Sequence, residues 1–141
     1  MGSISETIEI QAPVEQVWQA VRYFHNADWA PHVITQCEAV GDRPGDEVGA
    51  SRIINGMFRQ TLLTLDDAGR TFTYSLDKGP APVSNRDVEN YVGRVTVRQA
   101  EDNDRTLVEW SSSWEGNDEA ASDFLRIIYR GFLVDMRQSL E

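Results

Sequence analysis

The stretch after Gly116 constrains the fold more than any other part of the chain. It reads as one uninterrupted helix of about 24 residues, roughly 36 Å long. Asn117 can cap its start, and Asp118 and Glu119 set negative charge at the positive end of its dipole. With residues placed about 100° apart, Glu119, Asp123, Arg126, Arg130 and Arg137 gather in an arc of roughly 60°. Ala121, Phe124, Leu125, Ile128, Phe132 and Met136 take the opposite face, and Ala120, Ile127 and Val134 widen it. A helix with so narrow a polar stripe has to be wrapped by the rest of the chain. Asp135 lies in the apolar arc near the helix end, where it reads as solvated.

The preceding residues supply a wrapping. Ile4, Ile8 and Ile10 alternate with polar residues, the pattern of a strand. Pro13 suits a first helical position, and Val14, Val17, Trp18 and Val21 follow at helical spacing. Tyr23 to His32 reads as a second short helix or an irregular turn, ended around Pro31. Six strands are then expected: Ile34–Val40, Glu47–Ile54, Phe58–Leu65, Thr71–Leu76, Glu89–Val97 and Thr106–Glu115. Turn residues separate most of them, among them Asn55-Gly56 and Asp66-Asp67-Ala68-Gly69. Connections this short make antiparallel hairpins, since parallel crossovers need a dozen residues or more. The expectation is an α+β domain over 1–141: a curved seven-stranded antiparallel sheet around a long C-terminal helix, with two short helices after the first strand.

Charge excludes some partners. With 13 basic and 23 acidic residues the chain carries −10. Such a surface repels phosphate backbones, so nucleic acid is not an expected partner, and no stretch has the ~20 apolar residues of a membrane span. Cys37 is the one cysteine, which excludes an internal disulfide. Met1 to Glu6 lacks the basic and apolar segments of a secretory signal, so the expected location is cytoplasmic.

Several phrases resemble a known family in order along nearly the whole chain. They are Ile10-Gln11-Ala12-Pro13-Val14-Glu15-Gln16-Val17-Trp18, Val48-Gly49-Ala50-Ser51-Arg52, Leu62-Leu63-Thr64-Leu65-Asp66-Asp67, Gly79-Pro80-Ala81-Pro82-Val83 and Thr106-Leu107-Val108-Glu109-Trp110. The chain resembles the START/birch-pollen-allergen superfamily (SRPBCC), in its polyketide cyclase/lipid-transport and plant-hormone-receptor-like branch. That resemblance implies a helix-grip fold with a cavity between the sheet and the terminal helix. It does not imply one activity, because the family hosts carriers, receptors, cyclases and lyases. The hormone-receptor branch carries an anchoring lysine where Thr35 stands here, so hormone binding is not carried over.

Residue parity selects side chains for that cavity. Phe72, Tyr74 and Leu76 share the bulky face of their strand; Tyr91, Val95 and Val97 share another. Between Phe58, Gln60, Leu62, Thr64 and the alternate set, parity does not choose; the resemblance favours the set with Gln60. On the last strand, burying Trp110 and Trp114 with Val108 and Ser112 is cheaper than burying Leu107, Glu109 and Glu115. Arg52 and Ile54 fall on the inward parity of the third strand. An inward arginine can hold a carboxylate or polarise a carbonyl; equally, it can pair with an acid as a purely structural element. The ligand-binding candidates are therefore Arg52, Ile54, Gln60, Tyr74, Leu76, Tyr91, Trp110, Phe124, Ile128 and Phe132.

No metal or other cofactor is expected. The spacings of His25, Asp28, His32 and Cys37 match no standard ligand pattern, and no positioned base marks Cys37 as a nucleophile. The expected function is binding of a small hydrophobic or aromatic molecule in the internal cavity. The alternative is a polyketide aromatase/cyclase-type enzyme, with Arg52, Tyr74 and Tyr91 orienting carbonyls and moving protons. A domain acting through a protein partner is a third reading and needs an exposed apolar patch.

Overall fold

A computed structural model describes residues 1–101, 104–116 and 118–141. In chain order the elements are β1 (Gly2–Ile10), α1 (Val14–Val21), β2 (Cys37–Val40), β3 (Ser51–Ile54), β4 (Phe58–Asp66), β5 (Thr71–Lys78), β6 (Val88–Gln99), β7 (Thr106–Gly116) and α2 (Glu119–Leu140). The strands form one open antiparallel sheet of seven, ordered β1-β7-β6-β5-β4-β3-β2. From β2 to β7, neighbours in sequence are neighbours in the sheet, as short connections require. β1 departs from this and closes against β7, with Gly2 opposite Trp114 and Ile10 opposite Thr106.

One face of this sheet carries the core. Ile54, Phe58, Leu62, Phe72, Tyr74, Tyr91, Val95, Val97, Val108, Trp110 and Trp114 are all buried, and they are the inward parities of their strands. Turning both indoles inward leaves Glu109 outside, where Ser5 donates a 2.7 Å hydrogen bond to its carboxylate. Hydroxyls populate the outer face: Ser51 meets Thr61 at 2.9 Å, Thr64 meets Thr73 at 2.6 Å and Thr71 meets Thr96 at 3.1 Å. A register shift between Leu62 and Thr64 reverses the alternation on β4, so Leu65 rather than Thr64 returns to the core. On α1, Val17, Trp18 and Val21 are buried. The Trp18 indole donates to Asp67 at 2.9 Å, and the Arg22 guanidinium grips the same carboxylate at 2.7 and 3.0 Å. These bonds pin α1 to the β4–β5 turn.

Tyr23–His32 is not a helix: a single short helix follows β1, and the described residues hold two helices in all. Local bonds compete with a helical ladder there. The Asn26 side chain donates to the Ala20 carbonyl at 3.1 Å and accepts from the Asp28 N–H at 3.2 Å. The Phe24 N–H goes across to the Gly45 carbonyl at 2.8 Å, and Pro31 disfavours helical backbone at Ala30. β2 and β3 are also shorter than expected. The Asn55 side-chain oxygen accepts the N–H groups of Thr35 and Gln36 at 2.9 and 3.1 Å, taking them out of the ladder. Gly49, at φ +96°, bends the chain just before β3.

α2 runs for 22 residues and buries Ala121, Leu125, Tyr129, Phe132, Leu133, Asp135 and Met136. Ile127 and Val134 do not widen this face; they are 73% and 39% exposed. Asn117, the expected cap, lies outside the described residues. Asp135 is buried rather than solvated. Its carboxylate accepts the N–H of His32 at 2.8 Å, the N–H of Val33 at 3.0 Å and the His32 ring at 2.9 Å. Burial raises the proton affinity of this carboxyl, but these donors outweigh burial and hold it below its ordinary value. The 23–34 segment is thereby fastened to α2, and Trp29 packs on Trp110 and Phe132 at 5.6 and 5.9 Å between ring centres.

Candidate functional site

Where the inner face of the sheet meets α2, a pocket is lined by Ile54, Phe58, Gln60, Tyr74, Leu76, Tyr91, Leu125, Ile128, Tyr129 and Phe132. The cavity among these side chains is only about 10 Å³. That is room for one water molecule. The interior is nearly filled by its own aromatic rings, so a larger guest requires side chains to move.

Of the sequence candidates, Ile54, Gln60, Tyr74, Leu76, Tyr91, Ile128 and Phe132 meet at this pocket. Trp110 stands one layer behind, with its indole N–H donating to the Tyr74 hydroxyl at 2.7 Å. Phe124 is half-buried and packs on Phe58, with ring centres 6.3 Å apart. Arg52 reaches the pocket through Gln60. Two participants escaped the sequence reading. Tyr129 sits between the apolar positions Leu125 and Phe132, so helical periodicity alone signalled it. Phe24 lies in the segment without regular structure and left no periodic signal.

Arg52 is 1% exposed. Its Nε donates to Gln60 Oε1 at 2.8 Å and its Nη1 to the Phe24 carbonyl at 3.0 Å. The guanidinium lies 3.9 Å from the centre of the Phe24 ring, a cation–π contact. Nη2 is buried with no hydrogen-bond partner. Burial lowers the group's pKa to about 10, opposed only by the Cys37 thiol and the Tyr74 phenol. No carboxylate faces it among the described residues, so the acid-paired structural role considered from the sequence does not describe this arginine. Relative to 12.5, a value of about 10 corresponds to roughly 3 kcal/mol of unfavourable burial at neutral pH. Against this stand the two bonds that Gln60 and Phe24 would lose, at about 1 kcal/mol or more each. Arg52→Met should therefore melt within a few degrees of wild type. A loss above about 3 kcal/mol in thermal unfolding would instead reveal an acidic partner stranded by the change.

A second polar group lies deeper. The hydroxyls of Tyr91 and Tyr129 are hydrogen-bonded to each other, and the Ser112 hydroxyl faces the same pair. Burial, reinforced by Tyr74, pushes both phenols well above their ordinary range, so they act as hydrogen-bond donors rather than bases. Gly93 makes this packing possible: it lies opposite Tyr74 in the sheet and leaves space for the phenol head.

His25, Asp28 and Cys37 border one open surface pocket, and His32 is not part of it. His32 pairs with Asp135, the His25 ring bonds the Ser51 carbonyl at 2.9 Å, and burial raises the Cys37 thiol. Among the described residues no three His, Cys, Asp or Glu side chains are grouped to hold a metal ion. No described helix is long and apolar enough to cross a membrane.

The family profile described as polyketide cyclase / dehydrase and lipid transport matches residues 1–141. The chain belongs to this family. Several solved structures superpose closely on it. A Nitrosospira multiformis protein shares 39% identity at a TM-score of 0.94, over 99% of this chain and 96% of its own. An uncharacterized protein from Bacillus thuringiensis follows at 26% identity and 0.82, over 99% and 98%. The protein XoxI from Bacillus cereus gives 25% and 0.80, over 99% and 96%. The resemblance read from the sequence phrases thus holds at the level of family, with a helix-grip-like arrangement of sheet and terminal helix.

Proposed function

We propose that this polyketide cyclase/lipid-transport family member reversibly binds a small, mainly apolar or aromatic molecule between the sheet and α2. The pocket carries this reading: aliphatic and aromatic walls surround a few convergent polar groups, Gln60 and the Tyr74, Tyr91 and Tyr129 hydroxyls, the usual composition of a small-molecule site. In this reading the Gly79–Val83 loop, which follows the pocket residue Leu76 at the end of β5, forms the mouth.

Ile128 is half-buried on α2 and borders the pocket, so Ile128→Trp should deny a guest the space it needs, at an overpacking cost of about 1–3 kcal/mol. Native mass spectrometry of the purified protein is expected to show a co-purified small molecule on wild type and none on Ile128→Trp, with both proteins unfolding cooperatively. An adduct that persists on the tryptophan variant would place the ligand elsewhere and defeat the proposal.

The cyclase reading is favoured by one observation, the depth at which Arg52, Gln60 and the three tyrosine hydroxyls converge. In it the guanidinium polarises a carbonyl, and the phenols donate to oxygens that gain negative charge.

A further inference from the structure

We propose that the ligand is an organic anion, an apolar or aromatic carboxylate whose charged end pairs with Arg52. The inference rests on the interior-binding reading above and adds the chemical class of the guest. Arg52 is a complete cation enclosed by the fold, yet its bonds go to two neutral acceptors, Gln60 Oε1 and the Phe24 carbonyl. An enclosed charge is stable when a counter-charge shares its site. The other buried polar or charged residues are Gln60, Thr73, Thr106, Ser112 and Asp135. Asp135 is committed to His32 and Val33. Among the described residues the fold therefore buries one arginine and sets no carboxylate beside it.

The geometry is built for a carboxylate. Nη2 has no partner, although its N–H groups are buried. A carboxylate oxygen placed on Nη2 would satisfy the fork that Gln60 and Phe24 leave open, by a charge-assisted bond of the kind arginine forms best. Gln60 is the link to the pocket: it holds Nε on one side and borders the pocket on the other. The remaining walls are rings and aliphatic chains, which suit the apolar body of the same molecule. Selectivity against neutral guests follows, because a neutral amide brings no charge to offset the buried cation. The surface charge of −10 opposes the approach of anions, so the preference has to arise inside the pocket.

Isothermal titration with cinnamate and with its neutral analogue cinnamamide, on wild type, Arg52→Met and Ile128→Trp, tests this. Wild type should bind cinnamate at least tenfold more tightly than cinnamamide. Arg52→Met should lose that preference and bind both at the level of the amide, while Ile128→Trp should bind neither. The wild-type ratio needs no variant, so the test survives poor folding of Arg52→Met. Equal affinity of wild type for the two compounds overturns the anion assignment and leaves interior binding standing, as does a preference that persists in Arg52→Met. If wild type binds neither compound, or Ile128→Trp binds both, interior binding itself falls and the anion assignment with it.

Discussion

Gly93→Ala should lower the stability of the protein by about 3 kcal/mol or more, at the upper end for an overpacked core. A Cβ at this position would stand 2.5 Å from the Tyr74 hydroxyl and Cε1, and closer still to Cζ. Surface tyrosines swing aside from such a clash, but this ring cannot. Phe24, Phe72, Tyr91 and Trp110 surround it at 6.1 to 6.4 Å between centres, and the Trp110 indole holds its hydroxyl. The melting temperature should drop by roughly 10 °C for a domain of this size. Tyr74→Leu removes the phenol head, so adding Gly93→Ala to that variant should cost far less, a coupling of about 2 kcal/mol in a double-mutant cycle. A Gly93→Ala protein that melts with wild type would show that the ring has somewhere to go.

Asp135→Ala should be nearly as damaging, at about 3 kcal/mol, because it removes the buried carboxylate that accepts the N–H groups of His32 and Val33. The His32 ring is 80% exposed and adds little to that figure. Asp135→Asn should recover most of the loss, since one amide oxygen can accept both backbone donors. The two proteins then differ in pH response. The Asp135 carboxyl is held below its ordinary value in the folded state. Its ionised form therefore stabilises the fold above the unfolded carboxyl's pKa, and the contribution disappears as pH falls through the folded value. Urea unfolding between neutral pH and the acid limit should show wild type losing this increment below about pH 4, while Asp135→Asn loses none of it. Parallel acid profiles for the two proteins would remove Asp135 from the account.

The sheet was legible because its buried residues are large and alternate. On β5 a tyrosine–phenylalanine pair leaves little choice of inward face, whereas on β7 the cost of exposing two tryptophans favoured one parity without settling it against an inward Glu109. Legibility ended where contacts depend on partners distant in sequence. Tyr23–His32 has the composition of a short helix, but its donors are taken by Asn26, Ala20 and Gly45, which no local pattern reveals. Asp135 looks like a polar residue at a fraying helix end until the turn after Pro31 brings two N–H groups to it. The reversal at Leu63 is a single-residue bulge and left no signature in the alternation. At the candidate site, the inward parity of Arg52 was readable, whereas the absence of an acid beside it needed the packing of Phe24 and Gln60. The near-filling of the interior depends on how rings interlock, which sequence spacing does not encode.

The pairing of β1 with β7 bears on how the molecule is made. Gly2 and Trp114 are opposite each other in the sheet but more than a hundred residues apart in the chain. As the chain leaves the ribosome, β2 to β6 can zip into hairpins one after another, each beside its predecessor. Their inner face, with Phe72, Tyr74 and Tyr91, stays uncovered throughout, because the helix that completes the core follows every strand in the chain. β1 waits without a partner for the same interval. A topology of this kind cannot close until α2 has been made, and its growing chain displays a wide apolar surface that chaperones recognise. Premature termination ahead of α2 would accordingly yield a sticky, incompletely paired sheet and not a smaller working domain.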